Sequence, residues 1–426
     1  MNHPNSTPEP GPPQPPGLLH RIGPGLVTGA ADDDPSGIAT YSQVGAQFGY
    51  SLAWTMLFSL PFMIVVQEIS ARIGAVTGYG IADNLRRHYH PWLARSVVAL
   101  LLIANTINLG ADLGAMGSAL RLILGGDERL YTIGFGLLCI GAEVFISYGR
   151  YAGLLKWLTL SLFAYVGVVF AVYVPWDQAL AATLIPRFVF DSTHAMALVA
   201  VLGTTISPYL FFWQAAMEVE ELRRAGTPPL STTPTQAAPS FRRIRLDTVL
   251  GMTFSNVIAV FIIIATAATL HAAGVVDIQT SAQAAEALRP IAGPFAFAVF
   301  ALGIIGTGLL AVPVLAGSSA YAVAELFRLP EGLDRRPLQA RWFYAVIAAS
   351  TLAGVALNFT SIDPVKALYW SAVVNGLLSA PLLAVIMLLA ANPRAMGRLT
   401  LSHPMRLGGW IATLVMVLAG AGFFLL

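Results

Sequence analysis

The sequence predicts an all-α protein that crosses a membrane many times, and three observations lead to this prediction. Of the 426 residues, 56% are hydrophobic and only 11% are charged, whereas a soluble protein carries about 25% charged residues. Apolar runs recur along the whole chain, and most of them reach the ~20 residues that cross a bilayer core as a helix. Lysine and arginine are concentrated in alternate connections between these runs, as expected for a polytopic protein.

The composition excludes several other classes of protein. The single cysteine, Cys139, lies in an apolar run, so neither a disulfide framework nor a cysteine metal cage can form. The formal net charge of +2 gives no reason to expect a nucleic-acid partner. No nucleophile and base stand in an arrangement that indicates an enzyme.

Eleven candidate spans follow one another along the chain. Their limits are residues 22–47, 51–74, 96–121, 131–149, 154–174, 193–219, 247–271, 293–326, 342–359, 365–390 and 407–425. Residues 1–20 are rich in Pro and lack the basic and apolar regions of a signal peptide, so we expect a disordered cytoplasmic tail. Residues 222–245 are rich in Pro, Ser and Thr and predict a flexible cytoplasmic loop.

The basic residues predict the orientation of these spans. With the N-terminus in the cytoplasm, most of the 24 Lys and Arg residues lie in cytoplasmic connections, including Arg150 and Lys156 between spans 4 and 5. The positive-inside rule therefore predicts a cytoplasmic N-terminus and, after eleven spans, a C-terminus outside.

Two spans carry a polar residue followed by proline near their middle. These are Asp34-Pro35 in span 1 and Ser207-Pro208 in span 6. Proline has no amide hydrogen and clashes with the preceding helical turn, so both helices should break there. Because each break falls in the first span of a five-span block, the positions suggest an inverted repeat, with residues 21–175 and 176–391 as its halves and 392–426 as an eleventh helix.

The first break coincides with the densest acidic run of the chain, Asp32 to Asp34. A carboxylate in the bilayer costs at least a few kcal/mol unless it is paired, and the carbonyls freed around Ala31 and Thr204 also need partners. Carboxylate and carbonyl oxygens suit hard divalent cations such as Mg²⁺, Ca²⁺ and Mn²⁺. For Asp32 and Asp33 the alternative is that they end a helix and face water.

Three segments carry a resemblance to a known family. They are "GPGLVTGAADDDPSGIATYSQVGAQFGY", "PFMIVVQEISARIGAVTGYGIADNLRRHY" and "LGTTISPYLFFWQ". They resemble the Nramp (natural resistance-associated macrophage protein) divalent metal transporters, and in particular the divergent Nramp-related magnesium transporters. The resemblance covers roughly residues 20–390 and implies a leucine-transporter-like fold, with two inverted five-helix repeats plus an eleventh helix and with helices 1 and 6 broken.

The resemblance also implies a metal site. It places the ligand positions of the family at Asp34, Ala31, Gly37, Thr204 and Ser207. Of these, Gly37 and Ser207 stand where the family has asparagine and methionine, so two side-chain ligands are lost, and Tyr209 replaces the histidine of the family. Secondary positions that could bind or attract a cation are Asp33, Asp112 and Asn375, with Leu109 at a second acidic position of the family.

These departures lead to an expectation about function. Without the soft sulfur the site is harder, so we expect a transporter that imports Mg²⁺ and/or Mn²⁺ across the cytoplasmic membrane by alternating access. With Tyr209 and Leu109 at positions of the proton route of the family, we expect weak or absent proton coupling. The alternatives are a proton-coupled Mn²⁺/Fe²⁺ symporter and an amino-acid or other organic-solute transporter of the same fold. We expect a monomer in the lipid bilayer, with no cofactor beyond the transported ion.

Other polar residues in the spans allow simpler interpretations. Glu68 and Arg72 have the (i, i+4) spacing of a helical ion pair, which either supports structure or forms an inner gate. Thr204, Thr205 and Gln214 either face a cavity or bond to neighbouring helices. We expect Asn256 to bond to the broken helices, Glu143 to pair two helices, and Glu218, Glu220 and Glu221 to form a solvated helix end.

Overall fold

The computed structural model describes residues 24–146, 158–360 and 362–426, and every regular element in these ranges is helical. Seven helical stretches within them are long and apolar enough to cross a membrane. The predicted tail at residues 1–20 and the basic residues Arg150 and Lys156 lie outside the described ranges.

The described ranges of the first half of the chain contain eight α-helices. They are α1 (Pro24–Asp32), α2 (Pro35–Phe48), α3 (Trp54–Thr77), α4 (Ile81–His88), α5 (Pro91–Leu124), α6 (Glu128–Phe145), α7 (Phe163–Ala171, preceded by a 3₁₀ turn at Leu158–Leu162) and α8 (Trp176–Leu184). Helices α1 and α2 together form span 1, and α4 and α8 are short connecting helices.

The second half begins with another broken span. Its helices are α9 (Ser192–Thr205), α10 (Pro208–Ala225), α11 (Ala237–Thr266, extended by a π-turn at Ala267–His271), α12 (Ser281–Glu286), α13 (Arg289–Ala292), α14 (Ala296–Phe327), α15 (Arg341–Leu357), α16 (Pro364–Ala390), α17 (Pro393–Met396) and α18 (His403–Leu425). Short 3₁₀ turns at Pro234–Gln236 and Gly293–Phe295 precede α11 and α14.

Both predicted breaks are confirmed, and each has the same local design. Asp34 (φ −70°, ψ 169°) and Ser207 (φ −78°, ψ 126°) are extended residues between the two half-helices, and the prolines after them begin the second half-helix. Proline is favoured at the first position of a helix because its missing amide has no intrahelical partner there. The sequence therefore stops and restarts each helix at the same point.

The helix packing has the pattern of an inverted repeat. The halves of span 1 pack on α11, the second span of the other block, and the halves of span 6 pack in the same way on α3. The third spans of the two blocks, α5 and α14, pack on each other. The contact of α1 with α11 is very close, since a Cβ on Gly29 would lie 2.4 Å from the carbonyl oxygen of Gly251. This arrangement is the leucine-transporter-like fold.

The predicted loop at residues 222–245 is wrong in its extent. Helix α10 continues to Ala225 and α11 begins at Ala237, so only residues 226–236 connect them. The backbone amides of Leu230 and Ser231 donate to the carbonyls of Ala75 and Val76 at the end of α3, each at 3.0 Å. The connection is therefore bound to the end of span 2.

Candidate metal-binding site

The two broken helices meet at their breaks. The hydroxyl of Tyr209, the second residue of α10, donates to the carbonyl oxygen of Ala31 in α1 at 3.1 Å. On the other side of the breaks, the hydroxyl of Thr204 in α9 donates to the hydroxyl of Tyr41 in α2 at 2.6 Å. Each half of span 1 is thus bonded to one half of span 6, which brings the predicted ligand residues of both spans together.

Asp34 is held in a fixed orientation at the centre of this meeting point. One carboxylate oxygen accepts the backbone amide of Gly37 at 2.6 Å. The other accepts the side-chain amide of Asn108 from α5 at 3.1 Å and lies 3.4 Å from the Tyr209 hydroxyl. Only 3% of Asp34 is exposed. The positive end of the α2 dipole also favours a carboxylate at this position.

A second carboxylate lies nearby. Asp112 in α5 is completely buried, and neither of its oxygens makes a hydrogen bond within the described structure. It is close enough to Asp34 and to the backbone amide of Ser36 to interact electrostatically with both. Two buried carboxylates that repel each other are strongly unfavourable, and a cation between them would remove that cost.

Asp32 and Asp33 are buried as well, so the alternative that they face water is wrong. Each is 1% exposed. The hydroxyl of Ser255 in α11 lies 2.8 Å from one oxygen of Asp32 and 3.0 Å from one oxygen of Asp33. The second oxygen of each carboxylate has no hydrogen-bond partner among the residues that the structure describes. The whole acidic run is therefore inside the protein, with a single serine hydroxyl between its first two members.

The structure gives Ser207 and Gly37 roles that the sequence did not predict. The hydroxyl of Ser207 turns back on its own span and donates to the carbonyls of Gly203 at 2.9 Å and Thr204 at 2.7 Å. It thereby satisfies the carbonyl of Thr204, which is itself a predicted ligand. Gly37 contributes its amide to Asp34 and has no side chain to offer a cation.

Asn375 lies beside the second break. It is 3% exposed, in the middle of α16. The backbone carbonyl of Asn375 accepts a hydrogen bond from the hydroxyl of Ser379. The same hydroxyl also donates to the backbone carbonyl of Ile206 at the end of α9. The position of Asn375 therefore borders the break from a third helix.

Asn108, like Tyr41 and Ser255, was not predicted from the sequence as a residue of this site. It is one helical turn before Asp112 on α5, and both side chains are completely buried. The (i, i+4) spacing of an amide and a carboxylate on an apolar span was the available signal, because side chains four apart share a face.

Several other expectations for polar residues are settled by their contacts. The hydroxyl of Thr28 in α1 donates to the side-chain carbonyl of Gln214, and the hydroxyl of Thr205 donates to the Val201 carbonyl. Gln214 therefore bonds to a neighbouring helix, as Thr204 does through Tyr41, whereas the hydroxyl of Thr205 bonds within its own helix α9. The expectation for Asn256 is wrong, because its amide contacts Ser59 and Met63 of α3, at 3.5 Å and 3.4 Å, and not the broken helices.

The acidic end of α10 is also different from the prediction. Glu218 and Glu220 are only 1% and 4% exposed, so they do not form a solvated helix end. Arg243 of α11 binds Glu218 at 2.7 Å and Glu221 at 3.0 Å. A further neighbouring helix, α14, contacts α10 through the hydroxyl of Tyr321, which donates to Glu220 at 3.0 Å. These carboxylates connect α10 to its neighbours.

The expected pair of Glu68 and Arg72 is confirmed at 2.5 Å, and the guanidinium of Arg72 also lies 4.1 Å from the centre of the Phe241 ring. The expectation for Glu143 is wrong, since it is buried with both oxygens unpartnered in the described part of the chain. Its carboxylate therefore joins no helices there.

The chemistry available at the site follows from its donor set. In the described ranges no group of three or more His, Cys, Asp or Glu side chains is arranged to hold a metal ion. A cation at the breaks would therefore depend on backbone carbonyls such as that of Ala31 together with Asp34. This mixed set of oxygens is one that hard divalent cations accept.

A large open cavity lies away from the broken helices. A cavity of ≈ 930 Å³ lies at the ends of α3 and α14 and is bordered by Asp83, His88, Glu325 and Arg394, with no residue of the broken helices in its lining. Burial, with Arg87 and Arg394 nearby, lowers the pKa of His88. Because Asp34 and Asp112 are at most 3% exposed, the candidate site is closed to both sides in this conformation.

The fold and the site together define a polytopic membrane transporter with two inverted repeats and a buried acidic site between its broken helices. Comparisons with known proteins agree with this class. A sequence profile described as "Natural resistance-associated macrophage protein-like" (Nramp) matches residues 25–426. The chain belongs to the Nramp family, which places it among transporters and not among enzymes.

The similar proteins include curated relatives and solved structures. The chain is 27% identical to a divalent metal cation transporter MntH from Verminephrobacter eiseniae over 376 residues, which cover 83% of this chain and 81% of the relative. It is 25% identical to the MntH of Klebsiella pneumoniae strain 342 over 409 residues, 94% of this chain and 92% of that protein. A crystal structure of the Eremococcus coleocola manganese transporter matches its fold with a TM-score of 0.75 and 17% identity, over 96% of this chain and 87% of the other.

Proposed function

We propose that this protein is a secondary transporter that imports divalent metal cations, Mg²⁺ and/or Mn²⁺, across the cytoplasmic membrane by alternating access. The observation that supports this most directly is the position of Asp34. Its carboxylate stands at the interruption of one helix, within reach of the freed Ala31 carbonyl, and is bonded through Tyr209 to the interruption of a second helix. Helix breaks of this kind carry ion sites in secondary transporters.

The charge of the site supports a divalent cation. Asp34 and Asp112 are two buried carboxyl groups, and a doubly charged ion would neutralise both of them in their ionised form. The curated relatives named above are divalent metal cation transporters, which supports the same substrate class.

The absence of sulfur supports the inclusion of Mg²⁺. Ser207 stands at the methionine position of the family, and its hydroxyl is directed at backbone carbonyls. A site of oxygens alone gives no advantage to the softer Mn²⁺ over Mg²⁺. The Eremococcus coleocola structure is of a manganese transporter, so Mn²⁺ remains part of the proposal.

We propose that transport follows the electrochemical gradient with weak or no proton coupling. Tyr209 and Leu109 occupy positions of the proton route of the family and cannot carry protons near neutral pH. A membrane potential of 100 mV is worth about 2.3 kcal/mol per charge, or about 4.6 kcal/mol for a divalent ion. That energy suffices to concentrate the ion without protons. The proposal includes a cytoplasmic N-terminus, an external C-terminus, a monomer and no cofactor.

Organic-solute transport is the second candidate, and the geometry argues against it. Transporters of this fold hold a substrate carboxylate with free amides at the start of a half-helix. Here the Gly37 amide at the start of α2 is already bonded to Asp34 at 2.6 Å. The remaining charge around the break is negative and would repel a carboxylate.

Uptake into proteoliposomes with an internal metal indicator and an internal pH indicator tests the proposal. We expect the wild-type protein to carry Mg²⁺ and Mn²⁺ with little acidification, and Asp34→Asn to abolish the metal signal. Asp177→Asn, the same change on the exposed helix α8, is the matched control and should transport normally. No metal uptake by the wild type would refute the function, and strong acidification with metal entry would favour the proton-coupled alternative.

A further inference from the structure

The hydroxyl of Tyr209 occupies an unusual place in the candidate site. It lies 3.1 Å from the carbonyl oxygen of Ala31 and 3.4 Å from a carboxylate oxygen of Asp34. These two oxygens are the ones that the proposed cation would use. Tyr209 is 1% exposed, so its hydroxyl is enclosed by the protein and directed at this pair.

A hydroxyl has one hydrogen, so it donates to only one of these two oxygens at a time, and the Ala31 carbonyl is at the shorter distance. A cation cannot bind the same oxygens while a positive O–H dipole is directed at them. The phenol hydroxyl can rotate about its C–O bond without movement of the ring. After that rotation its oxygen lone pairs face the Ala31 and Asp34 oxygens, and the dipole favours a cation between them.

The distances suit such a role. Mg²⁺ holds its oxygens about 2.1 Å away in an octahedron, so neighbouring oxygens are about 3.0 Å apart. The contacts of 3.1 Å and 3.4 Å are close to this spacing. The hydroxyl oxygen of Tyr209 therefore needs only small shifts relative to each of the other two oxygens to share an ion with it.

We infer that the hydroxyl of Tyr209 is a ligand of the transported cation, and that in the empty site it holds the Ala31 and Asp34 oxygens in place as a hydrogen-bond donor. This inference rests on the proposed function and adds a ligand from α10 to those of span 1. The site then has a neutral, hard oxygen at the position where the family has a histidine.

The position of Tyr209 at the start of α10 explains why the role falls to this residue. Tyr209 follows Pro208 directly, so its position is fixed by the start of α10. Ala31 is in the last turn of α1. A ligand on each of these half-helices lets the bound ion hold the two spans together at their breaks.

Tyr209→Phe tests the inference because it removes one oxygen and keeps the ring. We expect the KM for Mg²⁺ uptake to rise about tenfold or more, with kcat changed less. In detergent, the variant should need about tenfold more Mg²⁺ than the wild type for the same rise in melting temperature. Tyr165→Phe, which removes a buried hydroxyl on α7, is the matched control and should behave as the wild type.

Other outcomes of these measurements would overturn the inference or the proposed function. If the hydroxyl only competes with the ion, Tyr209→Phe removes the competitor, and an unchanged or lower KM overturns the inference. Should the Phe variant not fold, Tyr209→Gln replaces it with a shorter oxygen donor, and an unchanged or lower KM has the same meaning. A wild-type protein that carries neither Mg²⁺ nor Mn²⁺ refutes the proposed function itself. Metal uptake that is the same in Tyr209→Phe as in the wild type refutes only this inference.

Discussion

Removal of the Arg243 guanidinium should destabilise the protein through Glu218. The side chain of Glu218 is 2% exposed and lies 2.7 Å from Arg243, whose own side chain is 35% exposed. Loss of one partner of a buried pair costs about 3–5 kcal/mol, because the other charge stays buried without compensation. We expect about 3 kcal/mol for Arg243→Gln, the lower end, since water reaches the arginine side of the pair. The contact with Glu221, which is 43% exposed, adds little.

A double-mutant cycle separates this mechanism from a general packing defect. Thermal unfolding in detergent should show a large loss of stability for Arg243→Gln and recovery of more than half of it in Arg243→Gln/Glu218→Gln, where no uncompensated charge remains. Distant, independent changes add to within about 0.5 kcal/mol. If the double variant were as unstable as the sum of the single variants, the reasoning about the buried charge would be wrong.

Three further predictions concern the broken helices. Ser207→Met introduces a soft sulfur at the α9–α10 break, so the ratio of Mg²⁺ to Mn²⁺ uptake should fall several-fold in a competition assay; an unchanged ratio would contradict the ligand position. Asn108→Leu removes the amide that donates to Asp34 at 3.1 Å, so the KM for Mg²⁺ should rise about tenfold, and a wild-type KM would mean that this amide does not orient the carboxylate. Gly29→Ala places a Cβ 2.4 Å from the Gly251 carbonyl oxygen; we expect thermal unfolding to show a loss of about 1–3 kcal/mol, and an unchanged melting temperature would refute the close contact.

Hydropathy and proline positions are sufficient to predict most of the fold. A membrane-spanning helix must satisfy all its backbone groups internally, so a long apolar run has few alternatives. Proline then sets the interruption at Asp34 and at Ser207 independently of the rest of the structure. The start of α11 was missed for a related reason. Residues 237–245 include three arginines and a proline, so hydropathy does not detect their helix. Its Phe241 packs against the Arg72 guanidinium from α3.

The site was predictable only for residues near the breaks. Asp34 stands out because a carboxylate before a proline in an apolar run has a high cost that must be compensated. Its partner Asn108 comes from a helix 74 residues further along, and the Ser255 hydroxyl between Asp32 and Asp33 is more than 200 residues away. Such contacts leave no local pattern in a single sequence.

The prediction of a solvated helix end for the glutamates of α10 was wrong for a different reason. Three carboxylates followed by two arginines at a helix end resemble a solvated terminus, and only the tertiary structure brings Arg243 and Tyr321 to Glu218 and Glu220. Polarity along one helix therefore indicates that a partner is needed, but it does not reveal whether that partner is water or a neighbouring helix.

The contacts of Asp34 explain how an ion could be linked to helix movement. Its carboxylate is bonded to the start of α2 through Gly37 and to α5 through Asn108, and it faces α10 through Tyr209. A ligand can shift a conformational equilibrium only by as much as its affinity differs between the two states. Movement of α10 relative to α1 would separate Tyr209 from the Ala31 carbonyl and so change the set of oxygens that the ion meets. In the proposed mechanism, the affinity of the site would therefore depend on the position of α10, which is the condition that alternating access requires.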